Sequence, residues 1–397
     1  MRLRARLATA VAATTAVLAA TAGFAVSTAS ATAAPAAPTG LAHWGTNVHL
    51  MWSGTTTAQV DLELDLLASA GANSARADVS WSSLQVLGKG TWEKGYVARL
   101  DALVDGAARR GIGLVLVLNT TPCWASTAPD TLQQDCTGAY WDRGVTRYAP
   151  ADPADFATAA AWLAGRYGDR VAALELWNEP NLVLDGVTPL IAPDQAAAYA
   201  GMVKAAYPAV KAVAPQLPVL AGSLSFADDA FLQRLYAHGI RGHYDAVSVH
   251  PYNEWRAPGA PHDARWYKYD YVLGLEAVRR AMTAAGDTSP VWVTEVGWTS
   301  CTVGADRWCV TREQQAAFTE ALLPLTAERF PWVRAVLVYG LRDKGRDATY
   351  TEDNFGLIDR DNRPKPAWDA AARAFRALAA GAAQPAPSAS PTAAPTA

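Results

Sequence analysis

The chain has 397 residues, of which 51% are hydrophobic and 18% charged, and a formal net charge of −3. That is enough apolar material for one large domain or two ordinary ones. The slightly acidic balance excludes a nucleic-acid or anionic-membrane binder that works by bulk charge. The two ends differ from the rest. Arg2, Arg4 and Arg6 precede an apolar run from Leu7 to Ala25, and Ala29-Ser30-Ala31 has the form of a signal-peptidase site. Residues 1–31 are therefore expected to be a secretory signal peptide. The three arginines lost with it take the net charge to −6. No second long apolar run follows, so the mature chain is expected to be extracellular, monomeric and without a membrane span. Residues 383–397 contain Pro, Ala, Ser and Thr but no charge, and read as a disordered tail.

Between the ends, residues 32–382, strand-like and helix-like stretches alternate. Strands are expected at Trp44–Trp52, Asn73–Trp81, Ile112–Thr120, Val171–Asn178, Pro218–Ser225, Asp245–Val249, Val291–Val296 and Val333–Tyr339. Helices are expected at Ala58–Ala70, Tyr96–Arg110, Pro153–Tyr167, Pro193–Val213, Asp228–His238, Tyr271–Ala285, Arg312–Glu328 and Lys365–Ala379. Runs such as Leu114-Val115-Leu116-Val117-Leu118 are apolar on both faces, as parallel strands covered by helices must be. An eightfold βα repeat points to an α/β fold of the TIM (β/α)8 barrel type. The alternative, a doubly wound open sheet, normally has a Gly-rich loop after its first strand, and this chain has none.

In such a barrel the chemistry sits where strands end. Polar residues fall there: Asn47 and His49, Arg76 and Asp78, Asn119, Asn178 and Glu179, Ser223 and Ser225, His250 and Tyr252, and Glu295. Two of these ends carry a carboxylate on an apolar strand, Glu179 on the fourth and Glu295 on the seventh. Two such groups are the minimum equipment for cleaving a glycosidic bond. Alternation places Glu175, Trp177 and Glu179 on one face, so Glu175 lies deeper and is expected to support rather than react. Asp78 and Glu254 are further carboxylates, read as an Arg76 partner and a loop charge. Metal chemistry would call for clustered His and Asp at strand ends, such as H-x-H, which is missing; no metal and no cofactor is expected. Long loops at about 121–152, 251–270 and 342–364 flank the same end of the barrel.

Trp177-Asn178-Glu179-Pro180-Asn181 and Thr294-Glu295-Val296-Gly297-Trp298 resemble the catalytic motifs of the retaining β-glycosidases of clan A. The E-x-W-N-E-P form is most similar to glycoside hydrolase family 39, with the cellulase-like family 5 second. The resemblance implies that Glu179 is the acid/base and Glu295 the nucleophile. It also implies that Asn178 binds the sugar 2-hydroxyl, that Arg76 pairs with the nucleophile, and that Tyr252 of His250-Pro251-Tyr252 steadies it. The implied partner is a poly- or oligosaccharide, cleaved at β-linked O-glycosidic bonds. One position departs from the pattern: the eighth strand ends in Tyr339 where these families place a Trp.

Four cysteines in an exported chain allow three disulfide pairings, of which the local ones, Cys123–Cys136 and Cys301–Cys309, are favoured. Among the 15 Trp, Trp162, Trp292, Trp332 and Trp368 lie within elements and read as core. Trp52, Trp124, Trp141, Trp255, Trp266 and Trp298 lie at strand ends or in long loops. These are expected to offer aromatic faces to sugar rings. His43, His238, His243 and His262 read as surface or packing residues.

Overall fold

Eight parallel strands close into a barrel in sequence order. They are β1 (His43–Val48), β2 (Ser74–Ser80), β3 (Gly113–Asn119), β4 (Ala173–Leu176), β5 (Val219–Ser225), β6 (Ala246–His250), β7 (Val291–Val296) and β8 (Val333–Val338). The structure, a computed structural model, describes residues 40–184, 187–260 and 264–382. The expected signal peptide, the expected C-terminal tail and His262 lie outside the described residues. All that is described belongs to one compact unit, Ala37–Ala397.

Each strand is followed by a long helix: α1 (Thr57–Ala70), α2 (Lys94–Arg109), α3 (Pro153–Tyr167), α4 (Gln195–Val213), α5 (Asp229–Ala237), α6 (Tyr271–Ala284), α7 (Arg312–Arg329) and α8 (Pro366–Ala382). The helices start where the sequence offers a cap. From α1 to α7, the side chains of Thr56, Glu93, Asp152, Asp194, Asp228, Asp270 and Thr311 accept from first-turn N–H groups. Such caps are worth about 1 kcal/mol each.

The strands have two different faces. Outward residues such as Leu114, Leu116, Val247, Val291 and Val293 join the large core shared with the helices. Inward residues form two layers. The lower one is apolar and holds Val115, Ala173, Leu220, Ala246, Trp292, Ala335 and Leu337. Above it, near the C-terminal ends of the strands, the buried side chains turn polar: Asn47, Arg76, Glu175, Ser223, Ser248, His250 and Thr294. A polar layer fully inside a barrel survives only if its groups satisfy one another, and this requirement organises the site.

Both local disulfides form, with Cα atoms 5.4 Å apart for Cys123–Cys136 and 5.0 Å for Cys301–Cys309. They close the loops after β3 and β7.

Candidate active site

Arg76 is the centre of the polar layer. Its Nε donates to Glu175 Oε2 at 2.6 Å, and its Nη1 to Asn47 Oδ1 at 3.1 Å. Nη1 also donates to Glu295 Oε1. Nη2 donates to Asn178 Oδ1 at 2.7 Å and to Ser223 Oγ at 3.4 Å. A guanidinium has five N–H donors in a fixed plane, and here each finds an acceptor. Burial works against its charge, but Glu175 and Glu295 outweigh burial and hold the pKa above its ordinary value. Glu175 is fully buried and takes a second bond, from Thr294 Oγ1 at 2.9 Å.

Glu295 reaches this layer through an irregularity. Simple alternation along β7 would turn it outward with Val291 and Val293. The register against β8 shifts between Val293 and Val296, and a bulge of this kind re-aims a side chain. Gly297 permits the close approach that follows, since a Cβ there would meet the Tyr339 carbonyl oxygen at 2.1 Å. Glu295 Oε2 accepts from the Tyr252 hydroxyl at 2.8 Å. Burial first, then Glu295 and other nearby groups, push the Tyr252 pKa well up, so it stays a donor.

The end of β4 also departs from simple alternation. The strand stops at Leu176, and both Trp177 (φ 72°) and Glu179 (φ 46°) take left-handed backbone. Trp177 does not share a face with Glu175; it is buried against Phe156 in the outer core. Glu179 is likewise not extended, despite preceding Pro180. Such backbone is costly for residues with a side chain. Backbone bonds from Trp177 N to Leu118 O and from Glu179 N to Ser223 O, both 2.9 Å, hold it. Glu179 Oε1 then meets His250 Nδ1 at 2.9 Å, and His250 Nε2 lies 3.3 Å from Ser223 Oγ. One atom each of Glu179, His250 and Glu295 lie within 4.8 Å of one another. Both Glu295 oxygens already have hydrogen-bond donors, and the Arg76 charge beside them opposes a cation.

These groups open into a cleft of about 530 Å³ lined by Arg76, Asn119, Asn178, Glu179, Tyr252, Glu295 and Tyr339, among others. Asn119 Nδ2 donates to Asp78 Oδ1 at 3.3 Å, and Asp78 Oδ2 lies 3.8 Å from His49 Nδ1. Tyr339 stands at the end of β8 with Lys344 Nζ 4.8 Å from its ring centre. Other candidates are placed elsewhere. Trp124 packs edge-on against Trp81 and donates to the Gln85 carbonyl at 2.8 Å. Trp298 is buried and donates to the Arg256 carbonyl at 2.7 Å. Trp255 and Trp266 share a separate cavity of about 280 Å³ with Glu254, Arg256, Tyr269 and Arg307. Glu254 is paired there with Arg256 and Arg307. Trp141 is exposed beside a further cavity near Tyr140.

The cleft also contains residues not singled out from the sequence: Leu182, Leu184, Phe226, Asp306, Trp308, Lys344 and Glu352. One signal for Trp308 was available, since it immediately precedes Cys309 in a loop that a short disulfide clips beside β7.

Many solved structures share this architecture. A family 39 glycoside hydrolase from Bacteroides cellulosilyticus WH2 aligns at 24% identity with a TM-score of 0.62, covering 85% of this chain and 64% of that one. An exo-beta-1,4-mannosidase from Opitutaceae bacterium strain TAV5 aligns at 19% identity and TM-score 0.60, covering 87% and 60%. GH5_18 from Streptomyces cattleya, solved in complex with GlcNAc, aligns at 20% identity and TM-score 0.61, covering 88% and 82%. The chain thus spans under two thirds of the length of the first two. At these identities the likeness establishes the barrel fold. No curated protein matches the chain. The family model for cellulase, glycosyl hydrolase family 5, matches residues 30–333, the second of the two families that the motifs resemble, and the chain belongs to that family.

Proposed function

We propose that the protein is an exported, retaining glycoside hydrolase that cleaves β-linked O-glycosides by double displacement. The observation that carries this reading is the pair of carboxylates in unlike surroundings. Glu179 and Glu295 oxygens lie within 4.8 Å, close to the roughly 5–5.5 Å separation of retaining enzymes and short of the gap that an intervening water needs. Glu295 is held by Arg76 and Tyr252, donors suited to an anion. Among the described side chains, the hydrogen-bond partner of the Glu179 carboxylate is His250.

In the first step a Glu295 oxygen attacks the anomeric carbon while the bond to the leaving oxygen breaks and Glu179 gives that oxygen its proton. A glycosyl ester on Glu295 results. In the second step Glu179, now a carboxylate, takes a proton from water; the water oxygen attacks the same carbon and expels Glu295. Two inversions restore the β configuration. Asn178, held by Arg76 at its Oδ1, has its amide N–H free to meet a sugar hydroxyl. Export is supported by the two disulfides; no described helix is long and apolar enough to cross a membrane. Proton NMR of the first-formed sugar tests the mechanism. A β anomer is expected. An α anomer overturns the assignment, and no turnover on any glycoside would favour a silent sugar-binding barrel.

A further inference from the structure

A second recess opens at the same end of the barrel, apart from the cleft. The loop from β2 to α2 gives it Ser82, Ser83, Val86 and Glu93; α2 gives Tyr96 and Arg99; the loop after β3 gives Tyr140 and Trp141. It holds about 240 Å³ and shares no lining residue with the cleft. Trp141 is 56% exposed, although its loop is firmly held. The Cys123–Cys136 disulfide clips that loop. Tyr140 is buried with Cys123 and Val145, and its hydroxyl donates to the Ser82 carbonyl at 3.3 Å. Arg143 donates to the Leu132 carbonyl at 2.6 Å and to the Gln133 carbonyl at 3.0 Å. The packing aromatic of this loop is therefore Tyr140. The indole beside it is kept in water on a rigid mount, where it offers a large contact face at small entropic cost.

Groups with unused hydrogen-bonding capacity line the recess with the indole. Ser83 is exposed and accepts from the Ser80 hydroxyl at 3.0 Å, which leaves its own proton to donate. Arg99 is exposed, with its guanidinium 5.3 Å from the centre of the Tyr96 ring, and makes no hydrogen bond or ion pair among the described residues. The Glu93 carboxylate caps α2, and the N–H groups of Gly95 and Tyr96 hold its pKa below the ordinary value, so it remains an acceptor. A flat ring for CH groups, with donors and acceptors for hydroxyls, is what a sugar residue calls for. An apolar peptide would instead bury Glu93 and Arg99 without partners. The volume falls below the roughly 300–1,000 Å³ of pockets that enclose a small molecule, and suits one residue of a chain that runs on past it. We propose that this recess is an accessory binding site for a neutral β-linked polysaccharide, holding the polymer on the face where the cleft acts on it. The choice of ligand class rests on the glycoside hydrolase reading of the cleft.

Affinity electrophoresis tests this. The full chain carrying Glu295→Ala, which should not digest the gel, is run through native gels containing mixed-linkage β-glucan, hydroxyethyl cellulose, β-mannan or xylan. Retardation is expected in at least one of them. Two sites on one polymer reinforce each other, so adding Trp141→Ala should weaken that binding by about tenfold or more. In the native enzyme, Trp141→Ala and Arg99→Met, both at exposed positions where folding is not at stake, should lower kcat/KM on the same polysaccharide and leave it unchanged on a 4-nitrophenyl β-glycoside. Free migration in every gel, retardation untouched by Trp141→Ala, or parallel losses on polymer and aryl glycoside overturn the inference. So does a dimer in sedimentation that Trp141→Ala dissolves, which would make the recess an interface between copies. No turnover of any aryl glycoside by the native enzyme overturns the hydrolase reading instead; retardation lost with Trp141→Ala would still support the site.

Discussion

Replacing Arg76 by methionine takes a guanidinium from between two carboxylates and strands one of them. Glu175 is fully buried and would keep only the Thr294 hydroxyl, at 2.9 Å. Removing one partner of a buried ion pair costs about 3–5 kcal/mol. With an unfolding entropy of about 2.1 cal/mol/K per residue over roughly 340 residues, Tm should fall by roughly 4–7 °C. Glu295 would keep Tyr252 but lose the group that fixes its other oxygen, and misplacement by about 1 Å costs on the order of a hundredfold in rate. A second change separates the two effects. Glu175→Gln, added to Arg76→Met, removes the stranded charge and should recover much of the Tm but none of the kcat. Scanning calorimetry and turnover of a 4-nitrophenyl glycoside measure both. An unchanged Tm in Arg76→Met, or recovery of kcat by Glu175→Gln, would refute the account of Arg76 as both structural and positioning.

The two carboxylates should fail differently when removed. Glu295→Ala should show no turnover with any substrate, whereas Glu179→Ala should keep the first step for good leaving groups and yield a β-glycosyl azide when azide is added, as seen by NMR. Replacing Cys301 and Cys309 by serine opens a loop of sequence separation 8, which the chain-entropy model values at about 2.5 kcal/mol. Calorimetry should show a lower Tm, and kinetics a KM raised more than kcat is changed, because Trp308 loses its anchor. His43 gives a pH signature. Burial, then the Arg334 charge, lowers its pKa from 6.5 to about 4. The unfolded chain therefore takes up the proton first, and stability that is full above pH 6.5 drains away toward pH 4, by about 2–3 kcal/mol. His43→Phe should flatten that part of the urea-midpoint profile; an unaltered profile would show that another group is responsible.

Much of this was legible in the sequence because a (β/α)8 barrel repeats one simple unit. Apolar strands, capped helices and the polar strand ends together mark Arg76, Asn178, Glu179, Tyr252 and Glu295, which line one cleft. What failed was alternation at the strand ends. Trp177 turns outward and Glu295 turns inward because left-handed backbone and a register shift interrupt the period of two, and neither leaves a mark in residue type. The bond from His250 to Glu179 was hidden for a related reason: β6 and β4 are not neighbours, so no local pattern relates them. The loop tryptophans were least legible. Trp255 and Trp308 are both aromatic residues in loops beside the mouth, and only the path of the chain sets one in a side cavity and the other in the cleft.

The Asn47 amide donates to the Thr294 carbonyl across the barrel at 2.9 Å, joining residues 247 apart in sequence. Contacts this remote form late, after the entropy of a very long loop has been overcome. A nascent or partly threaded chain can bring Arg76 and Glu179 together with their partners on β1, β4, β5 and β6, but it lacks Glu295 beside Arg76 until β7 docks between β6 and β8. Catalysis thus behaves as a coincidence detector for complete folding. With Glu295 as the nucleophile, partial chains are expected to be inert, proteolytic nicks that free the last two strands to silence turnover, and recovered activity during refolding to report the final closure rather than any earlier collapse.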